Sequence, residues 1–245
     1  MEWLLIAALG GGVLVLGRRL RGRRADRRAG TAELEQIKRV ADEDVTLLGE
    51  ELARLDAEVA GRALDQETRL DYQRALDAYE SAQRSVPRLT DIDRISTVTD
   101  TLATGRYAIV CVRARLAGQP VPERRVPCFF NPQHGPSVAD VVWTSARRGS
   151  RTVPACAQDA VRVRAGEQPE MRSVEFGGRR VPYWEAGQAW APYGEGYFAS
   201  GSGAAFLAPL ALEPGWTGDV GGWGDGGFGG FDGGGFEGGG GGGDG

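Results

Sequence analysis

Hydrophobic residues are distributed along this chain in three different ways. Residues 3–16 (WLLIAALGGGVLVL) form an unbroken uncharged run. As a helix rising 1.5 Å per residue, that run covers about 21 Å of a hydrocarbon layer roughly 30 Å thick. Arg18 and Arg19 can lay their aliphatic stems along lipid and extend the span to Leu20, while Trp3 suits the opposite interface. The pattern predicts a transmembrane anchor over residues 1–20, with a buried core helix as the other reading of so short a run.

Residues 31–86 are charged, poor in Gly and Pro, and place apolar side chains at alternating spacings of four and three. Leu48, Leu52, Leu55 and Val59 form one stripe, and Tyr72, Leu76, Tyr79 and Val86 a second. This is helical periodicity, and the slip between the stripes predicts a break across residues 61–66. Pro87 disfavours helical geometry at Val86. A further series, Leu89, Ile92, Ile95, Leu102, Ile109 and Leu116, runs on to Gly118 and Pro120, so the helices can fold back as an antiparallel hairpin. The stripes either bury against one another or offer a coiled-coil surface.

From Pro120 the composition shifts to Pro, Gly and aromatics. Short strands are predicted near 138–144 and 151–155, then a short helix closed by Gly166, then a second hairpin turning at Gly177 and Gly178. Tyr183, Trp184, Trp190, Tyr193, Tyr197 and Phe198 either cover a small core or line a groove for a Pro-rich or sugar ligand. Beyond Gly215, glycine punctuated by Trp223, Phe228, Phe231 and Phe236 has too little to bury, which predicts a disordered low-complexity tail. The fold class is therefore α+β. Its divisions are an anchor (1–20), a juxtamembrane segment (21–30), a helical region (31–118), a small α+β domain (119–214) and a tail (215–245).

Charge refines this picture. The net charge is −4, which offers no footprint for nucleic acid. Arg18, Arg19, Arg21, Arg23, Arg24, Arg27 and Arg28 crowd behind the apolar run, opposed only by Asp26. By the positive-inside bias they predict a single-pass protein of the cell membrane, N-terminus outside and body cytoplasmic, with the lipid bilayer and its anionic headgroups as partners.

Cysteine occurs at Cys111, Cys128 and Cys156, and histidine only at His134. Cys128 opens CFFNPQHG with His134; the predicted hairpin follows, then Cys156 with Asp159 one helical turn on. Zn²⁺ accepts thiolate, imidazole and carboxylate together, so Cys128, His134, Cys156 and Asp159 are candidate metal ligands and structural zinc the candidate cofactor. Buried thiols without metal, a Cys128–Cys156 disulfide, and a thiol dyad of Cys128 and His134 with Asp140 are the alternatives. Over residues 126–166 the order of turn, hairpin and ligand-bearing helix resembles a treble-clef zinc finger. It departs from that pattern in its Cys-x5-His spacing and in Asp at the fourth position. The whole layout, with segments such as CFFNPQHGP and VPYWEAG, resembles actinobacterial single-pass membrane proteins with Gly-rich tails, a likeness that implies no activity.

Phosphate-binding loops, nucleophile elbows and His-Glu-x2-His pairs are absent. The expectation is a non-enzymatic, membrane-tethered scaffold or adaptor that recruits a protein partner; the alternative is a thiol- or metal-dependent hydrolase using the Cys/His/Asp cluster.

Overall fold

A computed structural model describes the backbone of residues 2–145 and 149–199, and the side chains of residues 30–145 and 149–199. Five α-helices and two separate two-stranded antiparallel sheets make an α+β fold that is mostly helical. The Gly-rich tail lies outside the described residues.

Helix α1 spans Glu2–Val59, about 87 Å at the usual rise per residue. It breaks at Gly61, which takes a φ of +73°. Asp65 then caps α2 (Gln66–Ser85) by accepting from the Thr68 amide at 2.7 Å. Pro87 sits in a short 3-10 turn, and α3 (Ile95–Leu116) returns along α2. Ion pairs record the directions: Arg115 near the end of α3 meets Asp71 and Glu67 near the start of α2, so these two run antiparallel. Arg106 and Arg113 meet Glu51 and Glu58 in step, so α3 runs parallel to α1.

Leu48, Leu52 and Leu55 are buried as their spacing requires, joined by Ile37, Val40, Ala41 and Val45. On α2 the buried face is Thr68, Asp71, Ala75, Ala78 and Ala82, while Tyr72, Leu76 and Tyr79 pack half-buried at its margin. The reason is close approach. A Cβ at Gly105 on α3 would sit 3.0 Å from the Ala78 methyl and 3.1 Å from Leu48, so only small residues fit that seam.

The expected anchor and location need correction. Among the described residues no helix is long and apolar enough to cross a membrane. The run at residues 3–16 falls about 9 Å short of the hydrocarbon layer, and its helix does not stop at Leu20 but continues through the arginines to Val59. The side chains of that run and of Arg18 to Arg28 lie outside those described.

The β-rich half is laid against the helices, and its buried residues join theirs in one continuous cluster running from Ile37 to Phe198. Strands β1 (Ala139–Ser145) and β2 (Gly149–Ala155) pair antiparallel, Ala139 opposite Ala155. Helix α4 (Ala157–Arg164) follows at once. Strands β3 (Ser173–Phe176) and β4 (Arg179–Pro182) turn at Gly177 and Gly178, both at positive φ as the sequence requires. Helix α5 (Ala191–Tyr197) closes the core. Tyr183, Trp184, Trp190, Tyr193, Tyr197 and Phe198 are each at most 2% exposed and therefore line no open groove. Trp184 stacks on Phe129 and meets Trp143 and Tyr183 edge to face, and Tyr193 meets Tyr183, Trp190 and Tyr197 edge to face.

Candidate metal centre

Residues 126–138 form a knuckle held by backbone hydrogen bonds: the Cys128 amide donates to Gly135 O and the Ser137 amide to Val126 O. Inside it, Asn131 accepts from the Gln133 amide and starts the 3-10 turn Pro132–His134, which points His134 back at Cys128. Gly135 leaves the turn at a φ of +79°, a conformation that costs glycine nothing. The Phe129 amide donates to Pro154 O and ties the knuckle to β2. One residue after β2, Cys156 caps α4 by accepting from the Asp159 amide at 3.4 Å. Knuckle, hairpin and helix thus bring all four sequence-predicted ligands together.

The four donor atoms lie within 4.8 Å of one another. Asp159 Oδ2 is 2.9 Å from His134 Nδ1, 3.3 Å from Cys128 Sγ and 3.4 Å from Cys156 Sγ, and Cys156 Sγ is 3.6 Å from His134 Nδ1. Bond lengths of about 2.3 Å to sulfur and about 2.0 Å to nitrogen or oxygen place tetrahedral zinc ligands roughly 3.3–3.8 Å apart. These four separations match the edges of such a tetrahedron to within a few tenths of an ångström, the His134–Asp159 edge having to open, while all six lie within 4.8 Å. Cys128 and Asp159 are fully buried, Cys156 is 8% exposed and the His134 side chain 17% exposed.

An outer layer holds the donors. Asp159 Oδ1 accepts from Arg162 at 3.1 Å and from the Glu170 amide at 3.0 Å, which turns Oδ2 inward. His134 Nε2 lies 3.2 Å from Asn131 Nδ2 and 3.6 Å from Glu170 Oε1. Such outer partners fix ligand orientation. Sequence reasoning did not identify Asn131, Arg162 and Glu170; only Arg162, three residues beyond Asp159 on the same helix, carried a spacing signal.

The protonation pattern follows from crowding. The Cys128 thiol donates toward Cys156, so its pKa is driven far up, with burial acting the same way. The same contact, seconded by His134, holds the Cys156 thiol well below its usual range despite burial. Burial alone would lower the His134 pKa, but Cys156 and Asp159 overturn that and raise it to about 9. Burial would raise Asp159; the Glu170 amide, Cys128 and Arg162 outweigh it and bring it below the ordinary carboxylate value. The pocket thus holds two anions and two proton-bearing groups, a set in which a divalent cation can replace the protons.

Of the alternative thiol dyad, Cys128 and His134 come together but Asp140 does not join them. Asp140 is 2.8 Å from Arg125, away from the cluster. A relay also needs the imidazole to bridge thiol and carboxylate through opposite nitrogens, whereas Cys156 and Asp159 both meet Nδ1. Cys111 is buried on α3, beside Tyr107, with its thiol pKa raised chiefly by burial.

A second buried polar network lies deeper. Asp44 of α1, fully buried, accepts from the hydroxyls of Tyr193 at 2.6 Å and Tyr197 at 3.0 Å and is 2.7 Å from the Arg172 guanidinium. Gln133, on the knuckle, donates to Tyr197 at 2.8 Å. Burial pushes the Asp44 pKa up, opposed first by Arg172 and then by Tyr193. Sequence reasoning passed over this network because Asp44 lies more than a hundred residues before Arg172, Tyr193 and Tyr197.

No protein-family model matches the chain, and neither a curated protein nor a solved structure gives a significant match. The reading of the site therefore rests on its geometry.

Proposed function

We propose that this protein is a non-enzymatic scaffold in which Cys128, His134, Cys156 and Asp159 hold a structural zinc ion that fastens the β-rich module to a three-helix platform. The observation that carries the reading is the convergence of four protein donors within 4.8 Å of one another, three of them buried. Catalytic zinc keeps a position open for water; a structural ion takes all four ligands from the chain. When bound, the ion would supply cross-linking of knuckle to helix in a segment whose sheets have two strands each. The chain's own residues do the rest: Asn131 and Glu170 orient the imidazole, Arg162 orients the carboxylate, and the ring stack from Phe129 to Trp184 fills the space behind. A long helical platform with a small stapled module suits recruitment of a protein partner.

Metal analysis of the full chain, purified without chelator, tests this. The expected result is one zinc per chain in the wild type and in Cys111→Ala, and none in Cys156→Ala together with loss of near-ultraviolet dichroism. A wild type free of metal that folds and takes up no added zinc overturns the reading.

A further inference from the structure

The two cysteines of the donor cluster differ in what can reach them. Cys128 is fully buried, while Cys156 keeps 8% of its surface open next to His134, whose side chain is 17% exposed. Their sulfurs lie within 4.8 Å of each other. The hydrogen bond from the Phe129 amide to Pro154 O draws the chain after Cys128 alongside the chain before Cys156. A disulfide needs its sulfurs about 2.05 Å apart, so the pair has at most about 2.8 Å to close, a distance that rotation of the two side chains about their Cα–Cβ bonds can supply. The third cysteine, Cys111, is buried on α3 and stands outside the cluster.

A cysteine that ligates zinc does so as thiolate, which is also the form that oxidants attack. At Cys156 the sulfur sits at the start of α4 and accepts from the Asp159 amide at 3.4 Å. An accessible thiolate with a second, shielded sulfur within reach is the arrangement of an attacking and a resolving cysteine.

We infer that the cluster is a modification site at which a hydroperoxide exchanges the zinc ion for a Cys128–Cys156 disulfide, so that metal occupancy answers to oxidants. The inference rests on the structural zinc proposed above. With hydrogen peroxide, Cys156 Sγ attacks one peroxide oxygen, the O–O bond breaks, and the sulfur becomes a sulfenic acid as hydroxide leaves. Cys128 Sγ then attacks that sulfur; the S–S bond forms, the S–O bond breaks and a second hydroxide leaves. The two thiolates lose two electrons, the peroxide gains them, and solvent protonates the hydroxides. Burial sets the order, since Cys128 is closed to solvent-borne peroxide, and its nearness intercepts the sulfenic acid before a second peroxide takes it to the sulfinic state. His134 and Asp159 are then two donors where structural zinc needs four, so the ion leaves. The knuckle stays tied to α4, now by a covalent bond that a dithiol can reduce.

Peroxide titration of the full chain, purified without chelator, tests this in the wild type and in Cys111→Ala, which leaves Cys128 and Cys156 as its only thiols. Zinc is measured beforehand, its release is followed with a metal-sensitive dye, thiols are counted, and peptides are mapped without reduction. The expected result is loss of one zinc and two thiols per chain in step, an intrachain link between the Cys128 and Cys156 peptides, and recovery of both thiols and zinc binding after dithiothreitol with added zinc. Zinc retained while peroxide is consumed, or zinc lost with sulfinic and sulfonic acids in place of the link, overturns the exchange and leaves structural zinc standing. A chain that carries no zinc and takes none up overturns both.

Discussion

Gly196 shows how tightly the last helix is fitted. A Cβ there would overlap Ser96 O and the Thr99 hydroxyl of α3. Overpacking of a closed interior costs about 1–3 kcal/mol or more, and here the obstructing atoms include backbone that cannot swing away. Gly196→Ala should therefore lower the urea midpoint by at least that equivalent, whereas Gly30→Ala, at a half-buried position within helix α1 with open space around it, should raise the midpoint by the equivalent of about 0.5–1 kcal/mol. The buried Asp44 makes the complementary case. Tyr193→Phe removes its shortest hydrogen bond while keeping the ring, and loss of a bond to a buried charge costs about 1.5–3 kcal/mol. Equilibrium unfolding should report that loss, and a Tyr193→Phe value near zero would mean that Arg172 and Tyr197 together satisfy the carboxylate.

Among the elements, α2 owes its start to Asp65, whose carboxyl is pulled below its ordinary range by the Thr68 amide. A depressed folded-state pKa gives stability that is present above the unfolded value and lost as pH falls through the folded one. The Asp65→Asn variant keeps an acceptor without the charge. It should show a shallower decline of stability than the wild type on acidification through the carboxylate range, measured by urea unfolding at a series of pH values. Elements were the most legible part of the sequence. The slip before Gln66, Pro87, and the turn glycines Gly166, Gly177 and Gly178 mark real boundaries because each acts through backbone chemistry within a few residues. Which face of α2 is buried was not legible: the large apolar stripe is marginal, and the alanines face inward because Gly105 lets α3 come close. That Cys128, His134, Cys156 and Asp159 come together was legible because cysteine and histidine are scarce here, so their separation by one hairpin stood out. Asp44, Arg172 and Gln133 could not, since nothing local distinguishes a buried charge from the many solvated ones. The apolar N-terminal run invited a membrane reading from composition, where helix length and continuity decide otherwise.

At the scale of the whole molecule, metal and fold should respond together. Chelation of the full chain is expected to remove the near-ultraviolet dichroism of the Phe129–Trp184 stack while much far-ultraviolet helix signal persists, because the sheets are small and the helices bury their own seam. Proton balance gives a second check. Near pH 7 the metal-free centre holds a protonated Cys128 and a His134 whose pKa is about 9, and both must lose their protons to ligate. Zinc uptake should then release about two protons, readable as the dependence of calorimetric heat on buffer ionisation enthalpy. Release close to zero would contradict that protonation pattern. Acid should weaken uptake for the same reason.

The Asp44 network also sets an order of events during synthesis. The contacts from Tyr193 and Tyr197 to Asp44 span 149 and 153 residues, so a carboxylate made early must wait, hydrated or unpaired, until α5 emerges from the ribosome. A nascent chain arrested before Ala191 would carry an open aromatic cleft and a charge without its hydroxyls. Such a fragment should be handled by chaperones and proteases as unfinished, whatever the state of its Cys/His/Asp cluster.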